Sequence, residues 1–356
     1  MNKRQVLAIS AGVLSLVTGI VAARVYWFSS EPVLNEPQPV NSGSKFSAGD
    51  KSISGPYTHK NLTVYLVHGD NTLKGRAPLT LEEAMDRGLV VVHETGDVNE
   101  VAIENISPKD EVFVQAGDIV KGGRQDRVLA VDLIVPARSG RIPIDSFCVE
   151  QGRWTARGSE SERQFNSSAE YAPSKEIKLA AKQSKSQGEV WAGVAKSQEK
   201  LSAATNTNTA SSVSRSSLPL TLENEVIRSS LRDYVEALSD VVDGKKDVIG
   251  FVFTINGEIN SSDVYGSSEL FIKLWPKLLK AAGIEAVAES HSSRPGDKVP
   301  DLTQIGSFFS SVEDSETTEK RKITERISMT TSESDKTIFS QTLDRQTMVH
   351  QSFIHK

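Results

Sequence analysis

Hydrophobic spacing along this chain alternates between unbroken apolar runs, a period of two and a helical period, and each switch outlines an element. Leu62-Thr63-Val64-Tyr65-Leu66-Val67 is apolar and β-branched throughout and predicts a buried strand, closed by the turn residues Gly69-Asp70-Asn71. Thr80 followed by Glu83 is a capping-box pair, in which each side chain satisfies a free amide at a helix start, and Gly88 stops that short helix. Strands are then expected at Leu89 to His93, Val101 to Asn105, Val112 to Ala116, Val128 to Val135 and Ile142 to Cys148, separated by Gly, Pro, Asn and Asp. Residues 57–154 therefore read as a β-rich half.

The period changes after Trp154. Between Ser174 and Leu201, Val190, Trp191, Val194 and Leu201 recur at helical spacing, with Gly188 expected to split the stretch in two. Ala203 to Ser217 is Ser, Thr, Asn and Ala with little to bury, which predicts an exposed mobile loop. Ile227, Leu231, Val235 and Leu238 form the stripe of a helix ending before Gly244. Val248 to Ile255 is too apolar on both faces for an exposed strand, and Asn256-Gly257 supplies the positive φ values of a tight hairpin, returning as Glu258 to Ser262. Ser267 caps a further helix with Leu270, Phe271, Leu274, Trp275, Leu278 and Leu279 on a wide stripe, and Pro276 inside it predicts a kink.

Residues 170–290 thus read as a helical, mixed α/β half packed on the first, the two making one domain over 57–290. The tail, 291–356, reads as a polar segment and a small β-meander, with Ile323, Ile327, Met329, Ile338, Phe339, Met348 and Ile354 as its apolar positions. The fold class is α+β: a β-rich N-terminal half, a helix-containing C-terminal half and the C-terminal β-meander. The pattern does not distinguish a sheet closed into a barrel from an open layer.

Ahead of this domain lies a different kind of sequence. Lys3 and Arg4 precede an uncharged stretch from Gln5 to Ala23, followed by Arg24 and Tyr26-Trp27-Phe28. Its length approaches the roughly 20 residues that span a bilayer, the aromatics suit the interface, and the basic N-terminus faces the cytoplasm. Residues 1–28 are thus a membrane anchor, the alternative being a signal segment cleaved after Val21-Ala22-Ala23, which gives a secreted or periplasmic protein. Either way the body is extracytoplasmic. Residues 29–56, rich in Pro, Ser, Asn and Gly, read as a flexible linker.

Composition narrows the function classes. A net charge of −5 without clustered Lys and Arg gives no footprint for nucleic acid. One cysteine excludes an internal disulfide, and six histidines show no zinc spacing, with His291, His350 and His355 expected at the surface of the tail. Asp118, Asp126, Asp132, Asp145 and Glu150 do not follow a calcium-loop pattern, so no metal site is assigned and no cofactor is indicated. Trp191 and Trp275 lie at helical spacing and are assigned to packing.

Several motifs carry a family resemblance. Gln115-Ala116-Gly117-Asp118, Gly122-Gly123-Arg124-Gln125-Asp126-Arg127, Val135-Pro136, Ile142-Pro143-Ile144 and Phe147-Cys148-Val149-Glu150-Gln151-Gly152-Arg153-Trp154 resemble the bacterial ARG and rhodanese-phosphatase-superfamily-associated protein domain. Gln187-Gly188-Glu189-Val190-Trp191, Ile249-Gly250-Phe251-Val252, Ile255-Asn256-Gly257 and the Tyr265-to-Leu279 segment are similar to the rest of it, so the resemblance runs from about Leu62 to Ala288 and leaves out the C-terminal meander. It implies no particular reaction, substrate or cofactor.

Candidate chemistry concentrates in residues 115–154. Cys148 is a candidate nucleophile, with Glu150, His68 or His93 as base and Arg127 or Arg153 lowering the thiol pKa, although a lone Cys between Phe147 and Val149 is ordinarily a small buried hydrophobe. Gly117, Asp118, Gly122, Gly123, Arg124, Gln125, Arg127, Gln151 and Arg153 are candidate ligand-binding residues, the glycines exposing amides and the arginines offering guanidinium forks. The plain reading of Gly122-Gly123 is a tight turn. Three functions follow: a membrane-tethered binding or accessory domain taking a small anionic ligand, an envelope sugar or a partner protein; a Cys148-dependent hydrolase or transferase; and a purely structural envelope protein.

Overall fold

The computed structural model describes residues 46–48, 50–292, 298–312 and 315–356; the segment read as anchor or signal, and most of the linker, lie outside them. Chain order places the barrel as an insertion within a sheet. The sheet has nine strands in the order Phe46–Ala48, Lys51–His59, Leu62–His68, Val248–Ile255, Glu258–Tyr265, Thr347–His355, Thr337–Asp344, Ile327–Glu333 and Glu316–Lys322. Between its third and fourth members the chain builds a closed six-stranded barrel, Arg141–Cys148, Glu100–Asn105, Val90–Glu94, Gln164–Asn166, Ile119–Gly122 and Arg127–Leu129. A three-stranded sheet of Leu133–Val135, Val112–Val114 and Leu79–Thr80 accompanies it. The architecture is mixed α+β: the inserted strands close into a barrel, while the nine-stranded sheet is open, with Phe46–Ala48 and Glu316–Lys322 at its edges.

The apolar runs explain the layers. Val248–Ile255 is buried at every position, as its sequence requires, because both faces of the sheet are covered. On one face Leu62, Val64, Leu66, Phe251 and Phe253 join the large core that also contains barrel residues; on the other, Tyr65, Val67, Ile249 and Val252 pack with Ile305 and Phe308 of the helix Leu302–Ser310. The helix Ser268–Ala288 covers the first face with Leu270, Phe271, Leu274, Trp275, Leu278 and Leu279, all at 3% exposure or less. Each such side chain contributes about 1.5–3 kcal/mol relative to exposure.

Local signals account for most boundaries. The Thr80–Glu83 capping box forms, and Gly88 follows the helix Leu81–Asp86 at φ +64°. Asn256 at φ +53° and Gly257 at φ +78° make the hairpin that joins the two central strands.

Other expectations are corrected. Ordered chain begins before residue 57, because Lys51–His59 is a strand lying across part of the stretch read as linker. The strand expected over Val128 to Val135 is broken into Arg127–Leu129 and Leu133–Val135, since Asp132 in the gap accepts the Ala116 amide. The helical stretch after Ser174 splits at Lys185 (φ +49°), with Ser186 as the new cap, so Gly188 lies inside the helix Gln187–Thr205.

Pro276 does not interrupt Ser268–Ala288. Ala203 to Ser217 is not a free loop: it contains the end of a helix, and Thr209 and Ser217 are fully buried. The C-terminal meander forms as expected, but Thr347–His355 pairs with Glu258–Tyr265, so it extends the main sheet. Ile119–Gly122 and Gln164–Asn166 gave no strand signal; in the latter only Phe165 is buried.

Candidate functional site at the barrel mouth

One end of the barrel gathers the residues that the sequence singled out. Ile119–Gly122 pairs antiparallel with Arg127–Leu129, so Gly122 to Asp126 is the connection between them, and Cys148 pairs with Arg127 at the end of the neighbouring strand. Gly122 (φ +108°) and Gly123 (φ +55°) serve the turn, as the plain reading of the pair has it. At Gly123 space matters as well, since a Cβ there would lie 2.6 Å from the Phe165 ring and 2.9 Å from Glu94 Oε2. The turn is thereby pressed against the barrel.

The charges in this region answer one another. Asp126, fully buried, accepts the Gly122 amide at 2.9 Å, the Ser217 hydroxyl at 3.0 Å and both terminal nitrogens of Arg157 at 2.6 and 2.9 Å. Burial raises the Asp126 pKa and the Arg157 charge works against that rise. Arg157 also binds Glu160, at 2.9 and 3.0 Å. Glu150, also fully buried, accepts Arg153 Nε at 2.7 Å, and Arg153 donates on to the carbonyls of Gly123 at 3.1 Å and Thr155 at 2.6 Å. Arg127, 1% exposed, donates to the Gln125 carbonyl at 2.9 Å and lies 3.4 Å from Glu94. Arg127, Arg153 and Arg157 thus face Glu94, Asp126, Glu150 and Glu160, so the buried guanidiniums are already matched by carboxylates.

Hydrogen bonding, unlike charge, is incomplete. Both amide atoms of Gln125, Arg127 Nε, Glu150 Oε1 and Ser146 Oγ are buried without a hydrogen-bond partner. Each such group costs about 1–3 kcal/mol, so a cluster of them calls for an explanation beyond folding. Trp154, next to Arg153, is 56% exposed at the same end.

Cys148 does not have the surroundings of a nucleophile. It is fully buried, burial pushes its thiol up to about 11, and its Sγ faces the Val98 carbonyl at 3.8 Å. The Gln187 side chain holds its backbone at both N–H and C=O, each at 2.8 Å. No histidine is among its partners: His93 Nε2 lies 2.9 Å from Glu104, and His68 Nε2 lies 2.7 Å from Ser54. Arg124 and Gln151 are exposed, tied by their amides to Glu94 at 3.2 Å and Ser216 at 3.0 Å.

Gly117 and Asp118 belong to a second polar centre, where the barrel, the long helix and the main sheet meet. Gly117 (φ +108°) leaves room for the Tyr171 ring, which a Cβ would approach to 2.6 Å. Asp118 pairs with the buried Lys277 and accepts the Gln115 amide at 2.9 Å. At its heart is His350, expected at the surface and found fully buried, 2.8 Å from Asp132 and 3.1 Å from Asp263. Burial alone would lower its pKa, but the two carboxylates raise it to about 9 and are themselves held low by it. Thr342 completes Asp132 at 2.8 Å, and the imidazole stacks on Tyr265 with centroids 4.6 Å apart. Sequence reasoning passed over Asp263, Thr342, Lys277 and, at the barrel mouth, Glu94, Arg157 and Ser217. The available signal was the Arg157–Glu160 spacing inside a polar loop.

Fold and site together define a mixed α+β domain in which a small closed barrel, inserted into a large antiparallel sheet, carries a buried polar cluster at its mouth. The chain belongs to the ARG and Rhodanese-Phosphatase-superfamily-associated Protein domain family, whose profile matches residues 50–355 and so includes the meander that the resemblance had left out. Comparison with curated proteins and with solved structures found no match.

Proposed function

We propose that the chain is a binding or accessory domain, tethered outside the cytoplasm by its N-terminal segment, with its ligand site at the barrel mouth. One observation carries the reading: Gln125, Arg127 and Glu150 bury polar atoms there without a hydrogen-bond partner, Glu150 Oε1 keeping only a 3.6 Å ion pair with Arg157. Those atoms are mixed, two N–H-bearing nitrogens and two oxygens, and the buried arginines Arg127, Arg153 and Arg157 are already matched by carboxylates. That mixture favours a neutral ligand with many hydroxyls over an anion, and of the three ligand classes an envelope sugar fits best. Trp154, next in sequence to Arg153, provides an exposed aromatic face, the kind of surface on which a sugar ring stacks.

The buried, high-pKa thiol weighs against the cysteine enzyme. Thermal shift of the full chain against mono- and oligosaccharides tests the binding reading: a rise in Tm that grows with sugar concentration is expected, and a flat response across the panel contradicts it. Alkaline extraction of membranes tests the tether. Retention in the membrane fraction is expected for an uncleaved anchor, and release for a cleaved segment.

A further inference from the structure

A second constellation lies on the main sheet, on residues that take no part in the barrel mouth. Ser54, His68 and Asp247 come from three adjacent positions: Ser54 on Lys51–His59, His68 at the end of Leu62–His68, and Asp247 immediately before Val248–Ile255. Ser54 Oγ lies 2.7 Å from His68 Nε2, and His68 Nδ1 lies 3.1 Å from Asp247 Oδ1, off the alignment of a full hydrogen bond. The order of atoms is the one that nucleophilic catalysis requires. For Nε2 to accept the serine proton, Nδ1 must carry the other, and that is the nitrogen facing the carboxylate.

The backbone fixes these three groups. The Gly69 amide donates to the Asp247 carbonyl at 2.9 Å, and Val248 pairs with His68, so the acid and the imidazole share one strand end. The imidazole is 4% exposed, whereas Ser54 is only half-buried and is reachable from solvent. Directly after Ser54 the ladder is broken by a bulge in which Gly55, at φ +125°, and Pro56 have no partner on the next strand. Proline has no N–H, so of the two bulge residues only Gly55 has an amide to offer. A Cβ at Gly55 would lie 3.1 Å from the Val64 carbonyl, which ties the bulge to glycine.

We infer that Ser54, His68 and Asp247 form a hydrolytic site that cleaves short acyl esters. Ser54 Oγ bonds to the ester carbonyl carbon while its proton passes to His68 Nε2. The carbon–oxygen bond to the alcohol then breaks, and the alcohol departs with that proton. Water, deprotonated by the same imidazole, attacks the acyl-serine, releases the carboxylic acid and restores the hydroxyl. Asp247 orients the imidazole. Because its side chain is 55% exposed, solvent screens its charge and its share of catalysis is smaller than that of a buried acid.

The test uses the full chain with a fluorophosphonate probe and p-nitrophenyl acetate. A single adduct on the Ser54 peptide, formed by loss of fluoride, is expected in intact and peptide mass spectra. Ser54→Ala should abolish the adduct and reduce ester hydrolysis to the buffer rate; His68→Gln should lower both about a hundredfold, and Asp247→Asn about tenfold. Absence of an adduct on the native chain, or an undiminished one in Ser54→Ala, overturns the inference. Ser54→Cys guards against a folding defect in the alanine variant: its alkylation rate against pH should show a thiol well below the ordinary range near 8.5, and an ordinary titration counts against the site.

Discussion

The two polar centres of this molecule contain similar residues and complete their hydrogen bonds to different extents. Around His350, the imidazole and its two carboxylates are matched across the barrel-side turn and two sheet strands, with Thr342 and the Ala116 amide completing Asp132. At the barrel mouth the ion pairs are equally well matched, yet Gln125 lies fully buried with neither amide atom satisfied. A satisfied buried network holds a fold together, and an unsatisfied one is held in place by the fold. The contrast is one of degree: around His350 the charged members are completed while Gln115 Oε1 and Tyr265 Oη stay without a partner, whereas the barrel mouth leaves both atoms of one buried amide open.

The sharpest way to break the comparison is to remove the charges. His350→Ala leaves Asp132 and Asp263 buried and unpaired and should cost about 3–5 kcal/mol in urea denaturation; a loss below about 1 kcal/mol would mean the junction holds nothing. Arg157→Ala should cost a comparable amount, because Asp126 loses its bidentate partner inside the barrel.

A smaller effect is expected with pH. The His350 pKa is raised from 6.5 to about 9 on folding, so its contribution is complete below about 6.5 and is lost as pH rises through about 9. Asp263, lowered on folding, contributes above its ordinary value of 3.8 and loses that contribution as pH falls through its folded pKa. Urea melts at pH 7 and pH 10 should differ by on the order of a few kcal/mol in the native chain and converge in His350→Ala. The smallest effect is at Cys148. Replacement by Ala should cost roughly 1 kcal/mol, and the native thiol should resist a disulfide reagent up to pH 9 unless the protein unfolds.

Much of this was legible in the sequence where one residue's neighbours decide its fate. Val248 to Ile255, the Asn256-Gly257 hairpin and the Thr80–Glu83 cap all depend on local pattern and formed as read. The region 115–154 was also legible as the place where unusual residues gather, and Gln125, Asp126, Arg127, Glu150 and Arg153 do converge. Long-range pairing was not legible. His350 stands in a polar stretch that resembles a surface strand, and only its pairing across to Tyr265 and Asp132 buries it. The Ser54–His68 contact likewise depends on a bulged register that no spacing reveals. Gln164–Asn166 closes the barrel with a single apolar residue, too little for a period of two to register.

The most direct measurement is a pair of urea denaturations at pH 7, comparing Gln125→Leu and His350→Leu with the native chain. If the barrel mouth is a binding site carried at a cost to stability, replacing an unsatisfied amide by a similar apolar side chain should leave stability unchanged or raise it by up to about 1 kcal/mol, while His350→Leu loses several. Equal losses in both variants would contradict the account and make the barrel mouth a second structural junction.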